Sequence, residues 1–144
     1  MTGSVVELEL PSRLDLVTVA RMVVAAVASC VNALDGDRLD DLRWVTSEAT
    51  TNAIQANQSL AARPEETTGR VTLRIEAEPR LVRLTVIDEG PGMPPVTIVS
   101  DITHPDRLEL EGGFGVPLMQ MLSSGDVKFT STPTGTTVQM ELQQ

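Results

Sequence analysis

The sequence predicts an α+β fold in which a mostly antiparallel sheet is covered on one face by helices. Two pairs of alternating segments, RVTLRIEAE with LVRLTVID and GDVKFTSTP with GTTVQMELQ, each have the pattern of a hairpin. Long apolar segments precede the first pair, and a shorter one separates the two pairs. This order is typical of a two-layer sandwich, and 144 residues with 41% hydrophobic content suit a single domain over residues 1–144.

The N-terminal half is predicted to hold one strand and two helices. Residues 5–10, VVELEL, alternate as a short strand does, and Pro11 ends it. A first helix is predicted over residues 14–34. Because it is apolar around much of its circumference, it is either buried on several sides or covered by a partner. A second helix is predicted over residues 37–62, before the stop at Pro64.

The C-terminal half is predicted to hold two hairpins with a loop and a helix between them. The first hairpin turns at Pro79 and Arg80, and residues 90–112 form a long loop of the kind that often carries function. A helix over residues 116–124 and a second hairpin follow. Alternation places two rows on the inward faces of strands: Val82, Leu84, Val86 and Asp88 in the first hairpin, and Thr136, Val138, Met140 and Leu142 in the second.

Composition narrows the functional classes. The chain has 11 Lys and Arg against 20 Asp and Glu, which gives a net charge of −9, and its basic residues do not form a stripe. This distribution argues against binding to nucleic acid. The acidic surface suits either a basic protein partner or simply a soluble domain. Cys30, among Val and Ala residues, is predicted to be a buried thiol, which indicates a reducing compartment. With neither a signal-peptide pattern nor a membrane span, the predicted location is the cytoplasm.

The second helix carries two polar residues that need an explanation. Six apolar positions mark the side that faces the sheet: Leu42, Val45, Ala49, Ala53, Ala56 and Leu60. Asn52 lies within this stripe, Glu48 borders it, and Trp44, one turn earlier, is predicted to be core. Since an unsatisfied buried polar group costs about 1–3 kcal/mol and a charge more, Asn52 and Glu48 must meet either nearby backbone or a ligand.

Three glycine-containing segments point to a ligand. In DEGPGM, residues 88–93, a carboxylate ends an inward row, and Gly90 and Gly92 let the backbone approach a ligand closely. In EGGFGVPLMQML, residues 111–122, glycines precede a helix whose free N–H groups suit a phosphate. Gly135 precedes Thr136, which returns a hydroxyl to the interior beside Asp88. Each segment alone is a weak or moderate signal, because ordinary turns use the same residues.

Together these segments resemble the conserved boxes of the histidine-kinase-like ATPase superfamily, also called GHKL or the Bergerat fold. EATTNAIQAN, residues 48–57, is similar to its N box, DEGPGM to its G1 box, GGFGVPL to its G2 box and GTTV to its terminal Gly-Thr element. The resemblance covers nearly the whole chain and makes residues 93–112 the ATP lid. The short length and the element order are most similar to RsbW-type anti-sigma-factor serine/threonine kinases.

The resemblance implies a role for each residue. Asn52 would be the protein ligand of Mg²⁺, and Glu48 the general base. Asp88, supported by Thr136, would accept a hydrogen bond from the adenine amino group of ATP. The remaining nucleotide contacts would come from Gly90, Gly92 and Met93 on the base side, and from the backbone of Gly113, Phe114, Gly115 and Val116 on the phosphate side.

Two functions are consistent with these roles. The first is an ATP-dependent serine/threonine kinase that phosphorylates a STAS-type antagonist protein and sequesters a sigma factor. Retention of Glu48 favours it. The second is a nucleotide-gated protein-binding module with little or no turnover, favoured by Ala56, where many relatives carry histidine. The apolar first helix would also suit a homodimer.

Overall fold

A computed structural model describes the chain over residues 3–61, 69–91 and 115–144. Its elements, in chain order, are β1 (Ser4–Pro11), a 3₁₀ turn (Leu14–Leu16), α1 (Val17–Cys30), α2 (Gly36–Gln58), β2 (Arg70–Glu78), β3 (Leu81–Ile87), α3 (Gly115–Leu122), β4 (Lys128–Thr132) and β5 (Gly135–Gln143). The predicted lid, residues 93–112, lies outside the described residues, as do Gly92, Met93, Gly113 and Phe114.

The strands form one sheet in the order β1-β2-β3-β5-β4, and every neighbouring pair is antiparallel. Leu84 in the middle of the sheet is paired with Ile75 of β2 and Met140 of β5. The tight turn between β2 and β3 places Arg80 in the left-handed region, with φ 70°. The predicted α+β sandwich with an antiparallel sheet is confirmed.

The core lies between the sheet and the helices. The inward row of β3 and most of the inward row of β5 are buried together with Val24 of α1 and Val45 of α2, while Val138 of β5 is partly buried against this core. The opposite face of the sheet carries ion pairs, among them Arg74 with Glu7 at 3.1 Å and Arg83 with Glu141 at 2.6 Å. Because exposed pairs of this kind contribute little free energy of folding, the buried face holds the sandwich together.

Several sequence predictions are corrected by the helix ends. Helix α1 ends at Cys30 rather than residue 34, because Asn32 turns the chain with φ 52°. Cys30 is exposed rather than buried, since it lies on the opposite side of the helix from Ala28. Helix α2 ends at Gln58, so Leu60 lies in the following turn, is 51% exposed and does not extend the stripe.

Trp44 was also predicted wrongly. It is 55% exposed, because a second buried row of α2, made of Thr46, Thr50, Ile54 and Asn57, lies on the other side of the helix. Helix α2 thus has two buried sides, one formed by the apolar stripe and one by this second row, and Trp44 lies on neither.

Arg38, near the start of α2, connects this helix to α3 and to the sheet. Its Nε donates to the backbone oxygen of Gln143 at 2.7 Å, and an Nη1 donates to the carbonyl of Leu122, the last residue of α3, at 2.9 Å. The end of α3 is therefore held beside the start of α2.

None of the described helices is long and apolar enough to cross a membrane.

Candidate functional site

A cavity of about 190 Å³ lies between α2, α3 and the strands β3 to β5. Its walls are mostly apolar and include Ala53, Val86 and Met119. Three side chains with polar atoms also line it: Asn52, Asp88 and Thr136. An apolar cavity with a few convergent polar groups is typical of a small-molecule site.

Asp88 lies at the end of β3 and is only 7% exposed. Its Oδ1 accepts hydrogen bonds from the backbone N–H groups of Gly90 at 2.9 Å and Thr136 at 3.1 Å. Burial raises the pKa of the Asp88 carboxyl, and the two N–H groups oppose that shift. Among the described residues none donates to Oδ2, so this oxygen is left as an acceptor for a ligand.

Thr136 supports Asp88 from β5. In addition to donating its N–H, it accepts at its carbonyl the N–H of Asp88 at 2.9 Å. Its hydroxyl pairs with that of Ser131 at 3.2 Å. Gly135, just before it, must remain glycine, because a Cβ there would overlap the carbonyl oxygen of Asp88.

Gly90 brings the turn after β3 against α2. A Cβ at Gly90 would lie 2.9 Å from the Cβ and the backbone of Ala56. Real Cβ atoms do not approach this closely, so the contact requires glycine at 90. The backbone of the turn therefore rests directly on the helix that carries Asn52.

Glu48 and Asn52 lie one turn apart on α2 and converge on the N-terminus of α3. A Cβ added to Gly115 would lie 2.7 Å from Glu48 Oε2 and 3.5 Å from Asn52 Nδ2. Both side chains are partly buried, yet within the described part of the chain neither forms a hydrogen bond. One explanation for Glu48 and Asn52 was a hydrogen bond to nearby backbone, and the described residues provide no such bond. Both side chains therefore remain available to a ligand.

The donor atoms at this end of the site suit a hard cation and an anion. An amide oxygen and a carboxylate are the oxygen ligands that Mg²⁺ prefers. Across residues 3–61, 69–91 and 115–144 no cluster of three His, Cys, Asp or Glu could enclose a metal. A cation bound here would therefore take most of its oxygens from water or from a bound phosphate. The first N–H groups of a helix such as α3 have no partner within the helix, which suits an anion.

Glu48 also borders a second depression, of about 400 Å³, on the outer side of α1 and α2. We call it the α1–α2 groove; it is lined by Arg21, Asp40, Arg43, Trp44, Ser47 and Glu48. Arg21 donates to the hydroxyl of Ser47 at 3.0 Å, which links the two helices across the groove. The sequence did not reveal this groove, because Trp44 was assigned to the core.

The sequence reasoning also missed Asn57, which is fully buried near the end of α2. Its side chain bonds to Ser12, to the backbone of Arg70 and to the N–H of Glu89. The spacing of Asn57 from Thr46, Thr50 and Ile54 was the available signal, since these residues recur on one side of the helix.

The structure thus gathers most of the predicted residues that it describes. Asn52, Asp88, Val116 and Thr136 line one cavity, Gly90 forms its turn, and Glu48 meets Gly115 at its edge. For Gly92, Met93, Gly113 and Phe114 the assignment stays a prediction.

Residues 10–142 match the family described as histidine kinase-like ATPase domain. The chain is 29% identical over 135 residues to the anti-sigma F factor of Geobacillus stearothermophilus, covering 93% of this chain and 88% of that protein. It is 32% identical over 118 residues to the anti-sigma F factor of Bacillus subtilis, covering 79% and 77%. With the serine-protein kinase RsbW of Bacillus subtilis it shares 29% identity over 122 residues, covering 81% and 72%.

Two solved structures have the same fold. The RsbU and RsbW domains of a Mycobacterium tuberculosis protein align with a TM-score of 0.66 at 17% identity, covering 97% of this chain and 32% of that one. The kinase domain of a blue-light activated histidine kinase from Erythrobacter litoralis aligns with a TM-score of 0.53 at 24% identity, covering 86% and 60%. The chain belongs to the histidine kinase-like ATPase family.

Proposed function

We propose that this protein binds MgATP in the cavity beside α2 and acts as an anti-sigma factor and protein serine/threonine kinase. The observation that carries the proposal is the convergence of Glu48 and Asn52 on the first residue of α3, beside a cavity that holds a buried carboxylate. Along the length of α2 the site thus offers an end for a base at Asp88, an end for phosphates at the start of α3, and a proton acceptor in Glu48.

The base would bind at Asp88. With Oδ1 engaged by two backbone N–H groups, Oδ2 is oriented as an acceptor that fits the exocyclic amine of adenine. Apolar side chains such as Val138 and Met119 supply flat walls for the ring. Gly90, with Gly92 and Met93 after it, would form the edge of this pocket.

The phosphates would lie at the start of α3. Backbone N–H groups of Gly115 and Val116, with those of Gly113 and Phe114 before them, would donate to phosphate oxygens. Asn52 would hold Mg²⁺, which when bound neutralises charge on those oxygens. The fit rests on the hard oxygen donors of Asn52 and Glu48, neither of which is engaged by another described residue.

Glu48 would act as the general base. Its carboxylate is near Gly115 on one side and borders the α1–α2 groove on the other. A serine or threonine hydroxyl that enters along the groove therefore meets Glu48 before it reaches the phosphates. Glu48 takes the hydroxyl proton, the hydroxyl oxygen bonds to the γ-phosphorus, and the bond to the bridging oxygen breaks to release ADP.

The protein partners are proposed from the relatives and from the family resemblance. Anti-sigma F factors and RsbW cover most of the chain at about 30% identity, which supports a sigma factor as one partner. The resemblance to RsbW-type kinases adds a STAS-type antagonist as the other. Ala56, which lies against Gly90 and lines the cavity, stands where many relatives carry a histidine. That observation supports the second candidate, a nucleotide-gated binding module with little turnover.

Three further assignments belong to this proposal. Residues 1–144 are one ATPase domain, and the protein acts in the cytoplasm. On α1 the exposed Val19 and Met22 form an apolar surface that suits a homodimer. A monomeric mass in light scattering at micromolar concentration would contradict the dimer.

The test combines binding and transfer on the same samples. Calorimetry with MgATP is run on wild type and Asn52→Ala, and γ-phosphate transfer to a STAS-type antagonist on wild type and the isosteric Glu48→Gln. Asn52→Ala should lose MgATP affinity, and Glu48→Gln should bind MgATP but not transfer phosphate. Binding by wild type without transfer would favour the gated module, and no binding would overturn the proposal.

A further inference from the structure

Asn57 connects three separate segments of the chain to α2. Its Nδ2 donates to Ser12 Oγ at 2.8 Å and to the carbonyl of Arg70 at 3.0 Å, and its Oδ1 accepts the N–H of Glu89 at 2.8 Å. Ser12 follows β1, Arg70 begins β2, and Glu89 lies in the turn after β3. Because Asn57 is fully buried, water cannot replace these bonds without opening the structure.

The bond to Glu89 holds the turn that carries Asp88. Each backbone N–H of residues 88–90 has one partner: Asp88 donates to the Thr136 carbonyl, Gly90 to the side chain of Asp88, and Glu89 to Asn57. Of these bonds only the last comes from α2. Asn57 therefore supplies the hydrogen bond that joins the turn to α2, next to the packing contact of Gly90 with Ala56.

A second bond closes a ring around the same turn. The N–H of Arg70 donates to Glu89 Oε1 at 2.5 Å, while the carbonyl of Arg70 accepts from Asn57. The first residue of β2, the turn and α2 are thus bonded to one another in a closed cycle. Asn57 itself is not among the residues that line the cavity, so it can act on a ligand only through the turn.

We infer that Asn57 is a positioning residue that fixes the direction of the Asp88 carboxylate and so sets the preference for an adenine base. The inference rests on the proposed nucleotide site. Without Asn57, the Glu89 N–H and the Arg70 carbonyl lose their buried partner, and the turn moves to reach water. Asp88 and Gly90 move with it, while Glu48, Asn52 and α3 keep their places.

The test compares Asn57→Ala with Ser12→Ala. Ser12 belongs to the same buried cluster, where its hydroxyl also donates to the Gly69 carbonyl at 3.0 Å, but it has no bond to Glu89. Both variants should unfold at lower denaturant concentration than wild type. Only Asn57→Ala should release the turn.

Calorimetry with MgATP and MgITP provides the readout, because hypoxanthine has a carbonyl where adenine has its amine. We expect Asn57→Ala to bind MgATP roughly tenfold more weakly, with MgITP affinity nearly unchanged. Ser12→Ala should keep the wild-type ratio of the two affinities. An unchanged ratio in Asn57→Ala, or an equal loss in both variants, would overturn the inference.

Amide hydrogen exchange without nucleotide tests the same point independently of binding. The Glu89 and Gly90 amides should exchange slowly in wild type and Ser12→Ala, and much faster in Asn57→Ala. If Asn57→Ala does not fold, Asn57→Ser, whose hydroxyl is too short to reach Glu89, replaces it. Fast exchange at Glu89 in wild type would also overturn the inference. If wild type binds neither nucleotide, the proposed function fails, and exchange alone decides whether Asn57 holds the turn.

Discussion

Asp88→Asn changes one atom at the base-binding end of the cavity. The two backbone N–H groups that donate to Oδ1, from Gly90 and Thr136, also fix the orientation of the new amide, since only its oxygen can accept them. The amide nitrogen then takes the place of Oδ2. A hydrogen-bond donor would therefore face the donor amine of adenine.

The expected loss follows from the bond that is removed. A hydrogen bond to a charged group contributes about 1.5–3 kcal/mol, which corresponds to a loss of MgATP affinity of roughly 10- to 150-fold. The affinity of Asp88→Asn for MgITP should be at least as high as that of wild type, because the carbonyl of hypoxanthine can accept a hydrogen bond from the new amide. The preference for ATP over ITP should thus disappear or reverse.

The same substitution has a predicted effect on stability. Burial raises the pKa of Asp88 above its ordinary value of 3.8, so the folded protein binds this proton more tightly than the unfolded chain does. At pH values above the raised pKa, wild type bears the cost of the buried charge, which Asp88→Asn lacks. As the pH falls through the raised pKa towards 3.8, wild type should gain stability relative to the variant.

The assay is calorimetry with MgATP and MgITP at neutral pH, together with denaturant unfolding of both proteins at several pH values. Circular dichroism checks that the variant keeps the fold. Equal losses of ATP and ITP affinity, or wild-type affinity for ATP, would refute the assignment of Asp88 to the base. A stability difference that does not change with pH would refute the argument on burial.

Three further predictions test other parts of the molecule. Gly115→Ala should displace the carboxylate of Glu48, whose Oε2 would lie 2.7 Å from the new Cβ, and slow phosphate transfer. The loss should be on the order of a hundredfold with an unchanged circular dichroism spectrum, and normal transfer would contradict it. Arg38→Ala should lower the free energy of unfolding by about 1.5–3 kcal/mol through its lost bonds to the Gln143 and Leu122 carbonyls, measured by denaturant unfolding. Trp44→Ala should raise the KM for the protein acceptor without changing MgATP affinity, and an unaltered KM would remove the α1–α2 groove from the proposal.

Local pattern was sufficient to predict the sheet and one end of the site. A period of two assigns each strand residue to a face, so the alternation in β3 and β5 placed Asp88 and Thr136 at the ends of inward rows, and both are buried at the cavity. Helical periodicity likewise predicted that Glu48 and Asn52 share a side of α2. The glycine segments indicated a close approach of the backbone to a ligand, which stays a prediction; in the structure Gly90 lies against Ala56 and Gly115 against Glu48.

Which element lies opposite each face was decided by the tertiary structure alone. Helical spacing could not tell that Trp44 borders an open groove, or that Cys30 is exposed, because an apolar side chain is buried only if another element covers it. Asn57 is the clearest case, since its partners are 45, 13 and 32 residues away in the chain. The sequence by itself determined the elements and their inward faces. The exposure of Trp44 and Cys30 and the partners of Asn57 were decided by how the elements pack together, because contacts between distant segments leave no periodic pattern in the local sequence.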